Sequence, residues 1–413
     1  MAAQVWRHLT ERIIAHAQPH TLNSVLQASL HKYICSGAHR YATITATMTH
    51  ADPELESTRA DTWHVVGHDW TVEYLQGVVE SDRRRREHRE NRKTRLRHAY
   101  LFVGPAHVGK STLVHAFAQA LLCTKNSKDG SPVPCGECRS CRLMSKGQHP
   151  DFRLIPPTDR DGNVDRADGL LRAEQSTELI HQASLRPMEG PYKVFHIQDA
   201  HLAHVTFSNK ILKTLEEPPN HVIICVTAAD RNRLLPTVVS RCELMELRPV
   251  PVATVKNGLI RDRQANREEA ELLARLSGGR YGWALHHLVD DTGASQRLEM
   301  LEELRGLVTA SRVERLRFAE KTATERDNQN LFGMLELWVT WWHDVLLTQY
   351  GLGDAISNLD LPAEVQLHAR TLSNTTVLHH LETLSRVERY LHHTVNTRLA
   401  LDALLLDVPR PVA

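Results

Sequence analysis

Long apolar runs are missing from this chain of 413 residues. None approaches the ~20 residues that a membrane-spanning helix needs, and the N-terminus has no signal-peptide core. No membrane partner is expected, and a cytoplasmic location is the default. A charge excess is missing too. The formal net charge is +1, so global charge points to neither an acidic nor a basic partner. Cysteine is sparse: seven in a chain this long do not make a disulfide framework. No long repeat is visible. What remains is ordinary for a globular chain, with 41% hydrophobic and 24% charged residues. The length allows two or three domains with proper cores.

Residues 1–60 carry only short amphipathic stretches. An N-terminal extension and a later start at Met48 are equal readings of them. From Trp63 the pattern firms. A helical run through Val72, Leu75, Val78 and Val79 is followed by a basic segment with Arg83, Arg84, Arg85, Arg86, Arg89, Arg92, Lys93, Arg95 and Arg97. Interspersed Asp82, Glu87 and Glu90 suggest a solvated helix or insertion; DNA-backbone contact is the sharper alternative. Strands are expected at 100–103, 193–197, 222–226 and 243–247, with helices at 111–122, about 170–185 and 204–217 between them. Strands alternating with helices imply a mostly parallel sheet covered on both faces. After Pro251 the chain reads as helical, with a break at Ser277-Gly278-Gly279. Leu335, Trp338, Val339, Trp342 and Leu346 form one amphipathic stripe, best read as packing.

Between an apolar run and a helical pattern stands Gly104-Pro105-Ala106-His107-Val108-Gly109-Lys110-Ser111, a full G-x-x-x-x-G-K-S. Gly104 and Gly109 let backbone N–H groups turn toward phosphate. Lys110 reaches the β/γ-phosphates, Ser111 coordinates Mg²⁺, and the helix opening at Thr112 adds positive potential. ATP with Mg²⁺ is the expected ligand; a loop that keeps its fold without nucleotide is the plainer reading. The strand ending at Ile197 leads into Gln198-Asp199, where a working ATPase usually carries two adjacent acids. Thr227, at the end of the next strand, can sense the γ-phosphate.

Four cysteines cluster: Cys123, then Cys135, Cys138 and Cys141 in two overlapping C-x-x-C steps. Such a set suits tetrahedral Zn²⁺ with no open position, so the metal would be structural. An iron–sulfur cluster, or His149 replacing one thiolate, are the alternatives. Cys35, Cys225 and Cys242 read as ordinary residues. Ser240-Arg241-Cys242 offers an arginine that could act on a neighbouring subunit's phosphates; a surface ion pair is the bland reading.

Taken together these stretches resemble the clamp-loader subunits of bacterial DNA polymerase III, in the AAA+ superfamily. The matching residues are Val66-Gly67-His68, His98 through Pro105, the phosphate loop, the four cysteines, His149-Pro150-Asp151 and Lys193-Val194. To these are added Ile211-Leu212-Lys213-Thr214-Leu215-Glu216-Glu217-Pro218-Pro219, Leu235 through Cys242, and Leu276-Ser277-Gly278-Gly279. The likeness is strong over 63–290 and weaker through Leu335–Trp342 and Asn396–Leu401.

The resemblance implies an α/β P-loop AAA+ core at 61–250 with a zinc loop at 123–141. A helical lid at 251–290 and an all-α oligomerisation collar at 291–413 would follow. It implies gamma/tau and delta subunits, a sliding clamp and primed DNA as partners. The family's motor subunits carry Asp-Glu where this chain has Gln198-Asp199, and an arginine where it has Trp283; Arg280 is offset by three. Two departures with Arg241 kept match the family's delta-prime branch. There, the degraded acidic site at Asp199 does not drive hydrolysis and Arg241 acts in trans. The chain's end soon after one helical C-terminal region agrees, since tau-like chains continue. The alternatives are an active gamma-type ATPase and a non-catalytic DNA-binding scaffold.

Overall fold

The computed structural model describes residues 63–88, 95–125, 134–165, 169–289, 292–325, 328–391 and 395–410. The readings for residues 1–60, Met48 and Cys35, and for residues 89–94 of the basic run, fall outside these. In chain order come α1 (Asp69–His88), β1 (Ala99–Val103), α2 (Lys110–Leu122), α3 (Arg139–Ser145) and β2 (Phe152–Ile155). Then follow α4 (Ala173–Ser184), β3 (Lys193–Ile197), α5 (Val205–Glu216), β4 (Val222–Ala228), α6 (Pro236–Val239) and β5 (Glu243–Glu246).

All five strands are parallel, in the order β2-β3-β4-β1-β5. β1, β3 and β4 are buried along their whole length, as expected of strands covered on both faces. Alternation sorts their side chains. Tyr100 and Phe102 join Leu75 and Val78 of α1 and Leu113, Phe117 and Leu121 of α2 on one face. Leu101 and Val103 join Leu179 of α4 and Phe207, Ile211 and Leu215 of α5 on the other. This is an α/β P-loop core, with the phosphate loop at the C-terminal end of β1.

Three elements differ from the sequence expectation. β2 lies in what reads as a polar linker; it is a four-residue edge strand whose Arg153 and Leu154 are exposed, so alternation is too short to register. β4 runs two residues beyond Val226, because β1 continues to pair with it as far as Val103 opposite Ala228. α1 does not stop at Val79 but continues to His88.

The remaining helices are α7 (Val252–Arg263), α8 (Arg267–Leu276), α9 (Tyr281–Val289), α10 (Thr292–Thr309), α11 (Arg312–Glu325), α12 (Asn328–Gln349), α13 (Pro362–Thr371), α14 (Asn374–Leu391) and α15 (Thr397–Leu406). Val255, Leu259, Ala270, Leu273, Ala274 and Ala284 of α7–α9 form a small cluster of their own. A larger cluster joins α10–α15 around Trp338, Trp341 and Trp342, all three inaccessible. The tryptophan stripe is thus core. No described helix is long and apolar enough to cross a membrane.

Candidate functional site: nucleotide loop, thiolate cluster and exposed arginine

The phosphate loop has the backbone its residue types demand. Gly109 holds φ at 104° as the N-cap of α2, a region closed to most side chains. Gly104 packs so tightly that a Cβ would stand 2.2 Å from the Leu247 carbonyl oxygen. His68 braces the turn from outside through its Nε2, 2.9 Å from the Val108 oxygen. The Lys110 amine donates to the carbonyls of Gly104 (2.8 Å) and Pro105 (2.7 Å). Burial lowers its pKa to about 8, with the Asp199 charge pulling the other way. Thr112 is exposed on the first helical turn.

The residues expected to flank a nucleotide converge at the C-terminal ends of β1, β3 and β4. Gln198 donates from Nε2 to Ser111 Oγ at 3.2 Å. Asp199 adopts a left-handed conformation (φ 50°), and its N–H donates to Thr227 Oγ1 at 3.2 Å. Thr227 is fully buried inside β4, where His196 Nε2 also lies 3.4 Å from its hydroxyl. Chemically, the loop amides and Lys110 fit a polyphosphate. The acidic site fits metal-assisted hydrolysis poorly, because an amide stands beside Ser111 where a second carboxylate would hold Mg²⁺.

Trp283 lies on α9, its ring stacked on His287 with centroids 3.7 Å apart. Arg280 is buried; its guanidinium is 5.9 Å from the Trp283 ring centroid, and its Nη1 pairs with Glu336 Oε1 of α12 at 2.5 Å. The Gly282 N–H donates to the His107 carbonyl on the phosphate loop at 3.0 Å. The crest of the loop, α9 and α12 therefore meet at one place.

Arg241 follows α6 and precedes β5. Nη1 donates to the Thr237 carbonyl at 2.8 Å and to Ser240 Oγ at 3.2 Å; Nη2 pairs with Glu216 Oε1 at 2.6 Å. Strand direction settles where this is. Glu243 pairs opposite Tyr100, near the start of β1, whereas the phosphate loop follows the end of β1. A five-residue strand spans about 13 Å, so Arg241 lies at the opposite end of the sheet from Lys110.

The four predicted thiols come together. Cys123 is the C-cap of α2, and Cys138 is the N-cap of α3, its sulfur accepting from the Cys141 N–H. Sulfur–sulfur separations are 3.6 Å for Cys123–Cys135 and 3.9 Å for both Cys135–Cys141 and Cys123–Cys138; all four lie within 4.8 Å of one another. Tetrahedral Zn²⁺ with Zn–S near 2.3 Å needs edges of about 3.8 Å, so the donor set fits that ion. His149 is committed elsewhere: Nδ1 accepts from the Asp151 N–H at 3.1 Å and Nε2 meets Ser140 Oγ at 2.8 Å. It does not replace one of the four thiolates. Cys225 and Cys242 are away from the cluster, and burial pushes the Cys242 thiol up to about 12.

One residue of this site reads differently from its sequence context. Arg83, within the basic run, is only 5% exposed. It donates to the carbonyls of Ala120 (3.3 Å), Cys123 (2.6 Å) and Lys125 (2.7 Å), closing the end of α2 where the thiolate loop begins. Asp82 beside it accepts from the Tyr192 hydroxyl at 2.7 Å and from Arg86 Nε at 2.9 Å. Continuing the Leu75, Val78, Val79 stripe by one further helical repeat lands on both residues, a signal masked by their charge. Arg84, Arg85 and Arg86 are exposed.

Comparison with known proteins gives two family matches. The model described as "DNA polymerase III, delta subunit" matches residues 84–251, and that described as "DNA polymerase III, delta subunit, C terminal" matches residues 293–409. The chain is 27% identical to Bacillus subtilis DNA polymerase III subunit delta' over 323 residues, 76% of this chain and 91% of that protein. Against the Pseudomonas aeruginosa delta' subunit it is 35% identical over 185 residues, covering 44% of this chain and 53% of the relative. Haemophilus influenzae subunit tau/gamma is 32% identical over 165 residues, 40% of this chain and 22% of the other.

Proposed function

The chain belongs to the DNA polymerase III clamp-loader subunits, and from that premise we propose that it is the delta-prime subunit, an arginine donor that does not itself drive hydrolysis. It takes part in loading the sliding clamp onto primed DNA, together with gamma/tau and delta subunits. The observation that carries the finer reading is the placement of Arg241 at the end of the sheet remote from Lys110. An arginine there has no access to this chain's own loop, so any phosphate it meets belongs to a neighbour.

The acidic site supports the same division. Gln198 supplies a neutral donor to Ser111, and Trp283 stands where the family's motors carry an arginine. Lys110, Ser111, Gly104, Gly109 and Thr112 would hold a nucleotide, with Thr227 bracing Asp199 from behind. Cys123, Cys135, Cys138 and Cys141 would hold Zn²⁺, which supplies a cross-link between α2 and α3 and no reactive position.

The test is reconstitution of the ring with Arg241→Ala, with the isolated subunit as control. Clamp-loading ATP turnover by the ring should fall by as much as ~10³-fold, and the isolated subunit should turn over negligibly. Turnover by the isolated chain that disappears on Lys110→Ala would instead identify a gamma-type motor. No nucleotide retention, with an unchanged ring, would leave a scaffold.

A further inference from the structure

We propose that Glu216 is the positioning residue for Arg241, fixing the guanidinium in the pose that meets a neighbour's nucleotide; this rests on the reading of Arg241 given above. Two of the anchors on Arg241, the Thr237 carbonyl and Ser240 Oγ, belong to its own turn. Among the described residues, the anchor from another element is Glu216, 25 residues away in sequence, at 2.6 Å.

Glu216 is well suited to hold something still. It is the last residue of α5, whose C-cap Glu217 N–H returns to the Lys213 carbonyl, and Pro218-Pro219 stop the helix directly afterwards. Beneath it Ile211, Thr214 and Leu215 are buried. The carboxylate therefore projects from an anchored backbone.

Arginine has a long side chain with many rotamers, and a partly exposed one that nothing held would sample many poses. Electrostatic stabilisation of transferred charge depends on donors already in place; a misplacement of about 1 Å can cost ~10²-fold. The anchors do not exhaust the group. A guanidinium has five N–H donors. Three bonds within the chain leave two for a phosphate. The carboxylate also offsets part of the positive charge, so its benefit must come from geometry and not from attraction. A loss of pose acts on the rate of the chemical step and spares substrate binding.

The ring is reconstituted with Glu216→Ala, Glu216→Gln, Glu217→Ala, Arg241→Ala or the Glu216→Ala/Arg241→Ala pair. Assembly is checked by size exclusion, and kcat and KM for ATP are measured in the presence of clamp and primed DNA. Glu216→Ala should lower kcat by ~10- to 10²-fold with KM unchanged within about twofold. Glu216→Gln, neutral but still an acceptor, should recover most of the loss. Glu217→Ala should match the unaltered ring, and the double variant should be no worse than Arg241→Ala alone. Glu216→Ala at or above the unaltered rate, or losses that add in the double variant, overturns the positioning role. If Arg241→Ala is itself silent, the trans reading fails and takes this one with it; a large Arg241→Ala effect beside a silent Glu216→Ala sinks only the role of Glu216.

Discussion

Burial and charge act in opposite directions on the Lys110 amine. Its pKa is lowered from 10.5 to about 8 by burial. Below pH 8 the folded and unfolded chains both carry the proton, and the cost of burying the charge is fully present. Between pH 8 and 10.5 the folded chain has lost the proton while the unfolded chain retains it, so stability rises with pH across that window. The rise should be on the order of 2 kcal/mol between pH 8 and 9.5, read as a shift in denaturation midpoint that Lys110→Met abolishes. Nucleotide binding should run the other way: affinity for ATP falls about tenfold from pH 7 to pH 9 as the charged fraction drops, measurable by titration calorimetry. A flat profile would mean that the amine does not meet the phosphates. The loop glycines and Lys110 were legible in the sequence because they act through local backbone geometry. The partners of Arg241 were not, because Glu216 is brought to it by the packing of α5 beside α6.

Among the elements, the junction of α2, the thiolate loop and α1 separates metal binding from helix capping. If the four cysteines hold zinc as proposed, Cys138→Ser should abolish its binding, read by metal analysis of the purified chain, and lower the melting temperature. Arg83→Ala should keep the metal and still destabilise the chain by about 2–4 kcal/mol, since three carbonyls at the end of α2 lose a charged donor. Loss of metal from Arg83→Ala would show that the arginine holds the thiolate loop itself. The thiolate spacing was plain in the sequence; the burial of Arg83 was not. Four successive arginines read as a solvated face, and only the phase of α1 against the core shows that the first of them turns inward while the next three face water. Similarly, spacing offers His149 as a replacement for one thiolate, but its two nitrogens meet Ser140 Oγ and the Asp151 N–H.

At the level of the whole molecule, Arg280 links the α7–α9 cluster to the tryptophan-centred cluster. Its pair with Glu336 and the Arg275 Nη1 bond to the Asp354 carbonyl at 2.7 Å tie the two together, while Gly282 holds the phosphate loop to the same place. An arginine spent on Glu336 is unavailable to a γ-phosphate, which accords with the proposed non-hydrolysing role. Glu336→Ala should speed hydrogen exchange in α7–α9 while leaving the sheet strands protected. It should cost about 1–3 kcal/mol, since the buried Arg280 loses its carboxylate and keeps the Ser277 carbonyl. Equal exchange in both forms would show that packing alone holds α7–α9 in place.

The sequence by itself determined the nucleotide loop, the cysteine set, the Gln198-Asp199 pair and the alternating layout of the core. Each depends on backbone conformation or spacing within a few residues, which composition and order encode directly. Tertiary structure alone decided that Arg241 stands at the far end of the sheet from Lys110, that Arg280 serves Glu336, and that Arg83 is a buried cap. Those outcomes follow from strand direction, helix phase and the docking of distant segments. They are long-range consequences of burial that no short stretch of sequence records.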